Sequence, residues 1–133
     1  MFTTDVDDHA YVVALAARRI VERDANMRGV VCFTRSGNTA FLLSKVHPNA
    51  PIYAITPNEA VCRRLSLARS VVPMLAPLVD SSERMLRMVD QLLRERGHAT
   101  DGEEMVVVAS LPVQAAGTTN FLKLHRVGES AGY

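Results

Sequence analysis

The stretch Gly29-Val30-Val31-Cys32-Phe33-Thr34-Arg35-Ser36-Gly37-Asn38-Thr39-Ala40 decides how the chain folds. Val30 to Phe33 is a short apolar run of the kind that forms a buried strand. It breaks into a hydroxyl-rich turn, Thr34 to Thr39, and the turn opens a helical pattern. A strand ending in small hydroxyl residues and Gly at a helix start is suited to hold an anion. The first helical N–H groups have no internal partner, the helix dipole is positive there, and Gly lets the backbone come close. Thr34, Ser36 and Thr39 add hydroxyl donors, and Arg35 adds charge. The competing reading is an ordinary polar turn in which Ser36 or Asn38 only caps the helix.

The whole chain is consistent with one compact α/β unit. Its 133 residues fit a single domain, 1–133, able to bury a core. Hydrophobic residues make up 48% and charged residues 22%, with a net charge of +1, so neither disorder nor a basic nucleic-acid surface is indicated. An apolar run of about 18 residues, long enough to span a membrane, is also lacking, and the polar start Met1 to Asp8 does not read as a secretory signal. Cys32 and Cys62 are expected as small buried hydrophobes in a reducing cytoplasm. His9, His47, His98 and His125 are not spaced as metal ligands, so no metal site is expected.

Thr4 and Asp7 can cap a helix starting near Asp8, with Val12, Val13, Leu15, Ala16, Ile20 and Val21 as its apolar face. Gly29 then suits a C-cap or turn before strand one. A helix from Asn38 to Val46 is expected to turn Phe41, Leu42 and Val46 inward and to stop before Pro48. Ile52 to Thr56 is a second strand. Asn58 can cap a helix from Glu59 to about Ala68, with Val61, Cys62, Leu65 and Leu67 packing. Val71 to Leu75 reads as a third strand, placed at an edge by Pro73. Asp80-Ser81-Ser82-Glu83 opens a helix to about Arg96, with Met85, Leu86, Met88, Val89, Leu92 and Leu93 inward. Strand four is Met105 to Ala109. Strand five, Asn120 to Val127, alternates Leu122 and Leu124 with Lys123 and His125, an apolar face and a basic one, with Lys123 and Arg126 guarding an edge.

The resulting order, α-β-α-β-α-β-α-β-β, implies right-handed crossovers and a mostly parallel sheet covered on both faces, a three-layer αβα architecture. The loop before strand five is too short for a helix, so that strand should run antiparallel to strand four. Ligands of such sheets sit beyond the carboxyl ends of the strands, where the strand order reverses. If strands one and four are neighbours, the Thr34–Thr39 turn and the Ser110–Thr119 loop line one crevice.

Five segments together resemble the C-terminal α/β domain of pyruvate kinases: residues 30–40, 48–58, Arg69-Ser70-Val71-Val72-Pro73-Met74, Gly102 to Val108, and Ala116-Gly117-Thr118-Thr119-Asn120. They come in the family's order and at about its spacing, and they cover the chain from Asp8 to Val127. The resemblance implies a five-stranded mixed sheet of order 3-2-1-4-5 with strand five antiparallel. It implies a regulatory, non-catalytic, allosteric role: Thr34, Arg35, Ser36, Gly37, Asn38 and Thr39 would cradle an effector's phosphate, and the loop with Ala116, Gly117, Thr118 and Thr119 would close over it. The partner implied is a sugar phosphate, with free phosphate or sulfate as its simplest stand-in. It also implies a homo-oligomer through the first helix and strand five.

Two departures narrow that expectation. The family's catalytic barrel, with its magnesium and potassium sites, is not in this sequence, so no cofactor is expected here and the chain alone should not transfer a phosphoryl group. Animal-type fructose-1,6-bisphosphate responders hold the second phosphate with a Trp and an Arg near the fourth helix. There is no Trp here, and Arg84 and Arg87 are not in register, which favours a monophosphate. The rival readings are a dimerisation module with a vestigial pocket and, less supported by the residues, a small enzyme on phosphorylated substrates. The start at Met1 fits either a short reading frame or a piece of a longer protein.

Overall fold

The computed structural model describes residues 6–79, 81–109 and 121–129. Its elements are α1 (Val6–Arg23), β1 (Met27–Phe33), α2 (Asn38–Val46), β2 (Ile52–Thr56), α3 (Glu59–Leu65), β3 (Val71–Leu75), α4 (Ser82–Glu95), β4 (Glu104–Ala109) and β5 (Phe121–Arg126). The five strands form one sheet of order β3-β2-β1-β4-β5. Every pairing is parallel except β4 with β5, where Glu104 lies opposite Arg126 and Ala109 opposite Phe121. The expected three-layer αβα fold and its strand order are therefore present, and β3, with Pro73, is at an edge as expected.

The two-residue period of the strands sorts the core into two halves. Val30, Cys32, Ile52, Ala54, Val106 and Val108 face α1, α2 and α3, packing on Ala14, Ala17, Leu43, Val61 and Leu65. Val31, Phe33, Tyr53, Ile55, Met105 and Val107 face α4, packing on Met85, Leu86, Val89 and Leu93. β1 and β4 are buried on both faces, which is why both read as unbroken apolar runs. Asn58 caps α3 by accepting from the Val61 N–H at 3.1 Å, and Ser81 caps α4 by accepting from Arg84 N–H at 3.2 Å. Thr4 lies outside the described residues.

Several expectations are corrected. Gly29 is not a helix C-cap but lies inside β1, because Asp24 makes the turn instead. The Asp24 carboxylate accepts from Asn26 N–H at 2.9 Å, and its carbonyl accepts from Met27 N–H at 3.1 Å. At Gly29 the chain passes so close to β2 that a Cβ would meet the Pro51 carbonyl oxygen and the Tyr53 ring at 3.0 Å each. α1 presents its small residues, Ala14 and Ala17, with Val21, to the sheet and turns Tyr11, Val12 and Leu15 outward. α2 buries Ala40, Leu43 and Val46, leaving Phe41 and Leu42 half-buried. α3 ends at Leu65, so Leu67 falls beyond it and is 89% exposed. Cys62 is only half-buried.

The faces of β5 are the largest correction. Leu122, Leu124 and Arg126 share the α1 side, and Leu124 is 53% exposed, whereas His125 points toward α4 and is fully buried. The apolar/basic alternation is real, but one of its basic residues belongs to the core.

Candidate functional site

The Thr34–Thr39 turn joins the carboxyl end of β1 to the first turn of α2, at the centre of the sheet. There the order reverses, with β2 on one side of β1 and β4 on the other. This is where ligands of open α/β sheets sit. Thr34 is buried and continues the ladder, its N–H donating to the Ile55 carbonyl at 3.0 Å. Its hydroxyl accepts from Gly37 N–H at 2.8 Å, which closes the turn. Ser36 Oγ accepts from Asn38 N–H at a longer 3.3 Å. Arg35, Ser36 and Asn38 are exposed, while Gly37 is buried.

Gly37 is the N-cap of α2 and has no side-chain acceptor to offer, so neither Ser36 nor Asn38 occupies the cap position. Its φ of 93° is in the left-handed region, and a Cβ there would meet Phe41 and Val61 at 3.2 Å each. Only Gly fits that conformation and that gap without strain. The α2 start is therefore free of a capping carboxylate and carries no acidic residue in its first turn. An approaching anion meets the positive end of the helix rather than a negative side chain.

Val61 against Gly37 also brings α3 onto the turn. Arg64, three residues further and on the same helical face, reaches back so that its Nη2 donates to the Ser36 carbonyl at 3.3 Å. Sequence pattern places Arg64 on a solvated helix face with Arg63, and nothing local distinguishes the two. The distinguishing fact is the packing of α3 across the turn, which depends on contacts 24 residues or more apart in sequence. Two arginines from different elements, Arg35 and Arg64, thus belong to one short stretch of surface.

Ala116, Gly117, Thr118 and Thr119 lie outside the described residues. Among the described residues no group of three or more His, Cys, Asp or Glu side chains could hold a metal ion, and no helix is long and apolar enough to cross a membrane.

The residues from 12 to 125 match the family described as pyruvate kinase, alpha/beta domain. Among curated relatives, the pyruvate kinase of Corynebacterium glutamicum is 38% identical over 118 residues, 89% of this chain and 25% of that protein. The pyruvate kinase of Agrobacterium vitis is 38% identical over 99 residues, 74% of this chain and 21% of that protein. A solved structure of Cryptosporidium parvum pyruvate kinase in complex with ADP superposes with a TM-score of 0.79 at 25% identity, covering 96% of this chain and 25% of that one. The chain spans about a quarter of the length of these relatives, and the matched part is the α/β unit built on the sheet described above. By both sequence and fold, this chain belongs to the pyruvate kinase alpha/beta domain family.

Proposed function

We propose that the chain is a regulatory module whose Thr34–Thr39 turn binds the phosphate of a small effector, a sugar monophosphate, and that it does not transfer phosphoryl groups by itself. The observation that carries this reading is the α2 start at Gly37, with no acidic residue in its first turn and with Arg35 and Arg64 beside it. A phosphate seated there would accept hydrogen bonds from backbone N–H groups and from the hydroxyls of Thr34, Ser36 and Thr39. An arginine fork beside it suits a phosphate better than a lysine would, because it offers several N–H donors in one plane. Calorimetry of the chain against glucose 6-phosphate and ribose 5-phosphate tests the proposal. Saturable binding supports it, and no heat at millimolar ligand with the fold intact refutes it.

A second role is supported by a separate surface. Tyr11, Val12 and Leu15 on α1 and Leu124 on β5 are all at least 36% exposed, and α1 and Leu124 lie on the same side of the sheet. A second copy of this chain fits such a face. β5 has an open ladder edge, and α1 turns its large apolar residues out while burying its alanines. The proposed assembly is a homodimer through α1 and β5. Sedimentation should give a dimer mass that Val12→Glu lowers to a monomer mass. A wild-type monomer at high concentration would refute the assignment.

A further inference from the structure

His125 has no solvent exposure, yet both of its ring nitrogens face carboxylate oxygens. Nε2 is 2.7 Å from Asp90 Oδ1 and Nδ1 is 3.0 Å from Glu129 Oε1. Asp90 is itself buried on α4. A neutral imidazole carries one N–H and presents a lone pair at the other nitrogen. With an ionised carboxylate on each side, the neutral ring would leave one lone pair against another at hydrogen-bond distance. A doubly protonated ring donates at both ends and removes that conflict.

The charges around the ring agree with this assignment. Lys123, two residues earlier on the same face of β5, donates from Nζ to the same Glu129 oxygen. An imidazolium at His125 sets a second positive charge, with Lys123, against the carboxylates of Asp90 and Glu129. On β4 its cross-strand partner is the apolar Met105. One turn from Asp90 along α4 stand Leu86 and Arg94, and Arg94 is engaged by Asp101 at 2.8 Å.

We infer that His125 is a buried proton-binding site, held as imidazolium between Asp90 and Glu129, and that this proton fastens β5 to α4. Among the described residues β5 is an outer strand, laddered to the sheet through β4. The ring supplies a polar tie between β5 and the α4 layer, and through Glu129 it also clasps the turn that follows the strand. Loss of the proton leaves a lone pair facing a carboxylate at one end, so the clasp opens there and β5 loosens as pH rises.

The test is NMR of the full chain, with histidine side-chain nitrogen spectra and amide hydrogen exchange followed from about pH 6 to about pH 9, a range that brackets ordinary histidine titration. Two protonated nitrogens are expected at His125 at the low end. As that signal is lost, amides of β5 should lose protection at least tenfold relative to those of β2, after correction for intrinsic rates. In Asp90→Asn, which keeps the side-chain volume but removes the charge, this pH dependence should shrink. A His125 signal showing one neutral tautomer across the range would overturn the inference. So would loss of the second ring proton while β5 protection still tracks β2, and both readouts come from the unmutated chain whatever the variant does.

Discussion

Replacing Arg64 by Ala separates binding from folding, because the structure assigns it little structural work. Its one described bond, to the Ser36 carbonyl, is exposed and 3.3 Å long. A surface contact of that length is worth no more than about 0.5 kcal/mol, so urea unfolding of Arg64→Ala should nearly overlay the parent. Against a phosphate the same guanidinium would form charge-assisted hydrogen bonds, each worth about 1.5–3 kcal/mol. That corresponds to a loss of affinity of roughly 10- to 100-fold for a sugar monophosphate, read by calorimetry at fixed ionic strength. Arg63→Ala is the control. It removes the same charge one residue away, on a different helical face, and should weaken binding less than about threefold through the screened field alone. Equal losses from the two variants would mean that only net charge matters. An unchanged affinity in Arg64→Ala, with the parent binding, would remove the residue from the site.

Other perturbations probe the supports of the fold. Gly37→Ala forces a non-glycine residue to φ 93° and puts its Cβ 3.2 Å from Phe41 and Val61. We expect a stability loss of about 2–3 kcal/mol in urea denaturation, together with loss of any phosphate binding. Asp90→Ala leaves His125 buried with half of its pairing gone and should cost about 3–5 kcal/mol, a large part of a small domain's stability. The Cys32 thiol is pushed up to about 12 by complete burial. At about pH 8 only about one molecule in ten thousand then carries the reactive thiolate, so native-state iodoacetamide should label the half-buried Cys62 and leave Cys32 for the unfolded chain.

What the sequence makes legible, and what it hides, follows from the range of the interactions involved. β2 and β3 are found to the residue because short, mostly apolar runs between turn-forming residues, Pro51 and Pro57 around β2 and Ser70 and Pro77 around β3, are local facts. The Thr34–Thr39 turn is equally local, since a strand end, a Gly and a helix start are all within ten residues. Arg64 is not legible, because its place depends on how α3 packs across the turn. α1 misleads for a related reason. Its apolar stripe is wide enough to face the sheet in two ways, and the close approach to β1 and β4 favours the alanines, which leaves Tyr11, Val12 and Leu15 outside. β5 shows the limit most plainly. Alternation along a strand fixes which residues share a face but not which face is buried. Leu122 and Leu124 against Lys123 and His125 looks like apolar inside and basic outside. Asp90, 35 residues earlier on another element, reverses that reading for His125 by giving a buried imidazole a carboxylate to bond. A polar residue enters a core when a partner waits there, so the sign of such a pattern belongs to the pair and not to the strand.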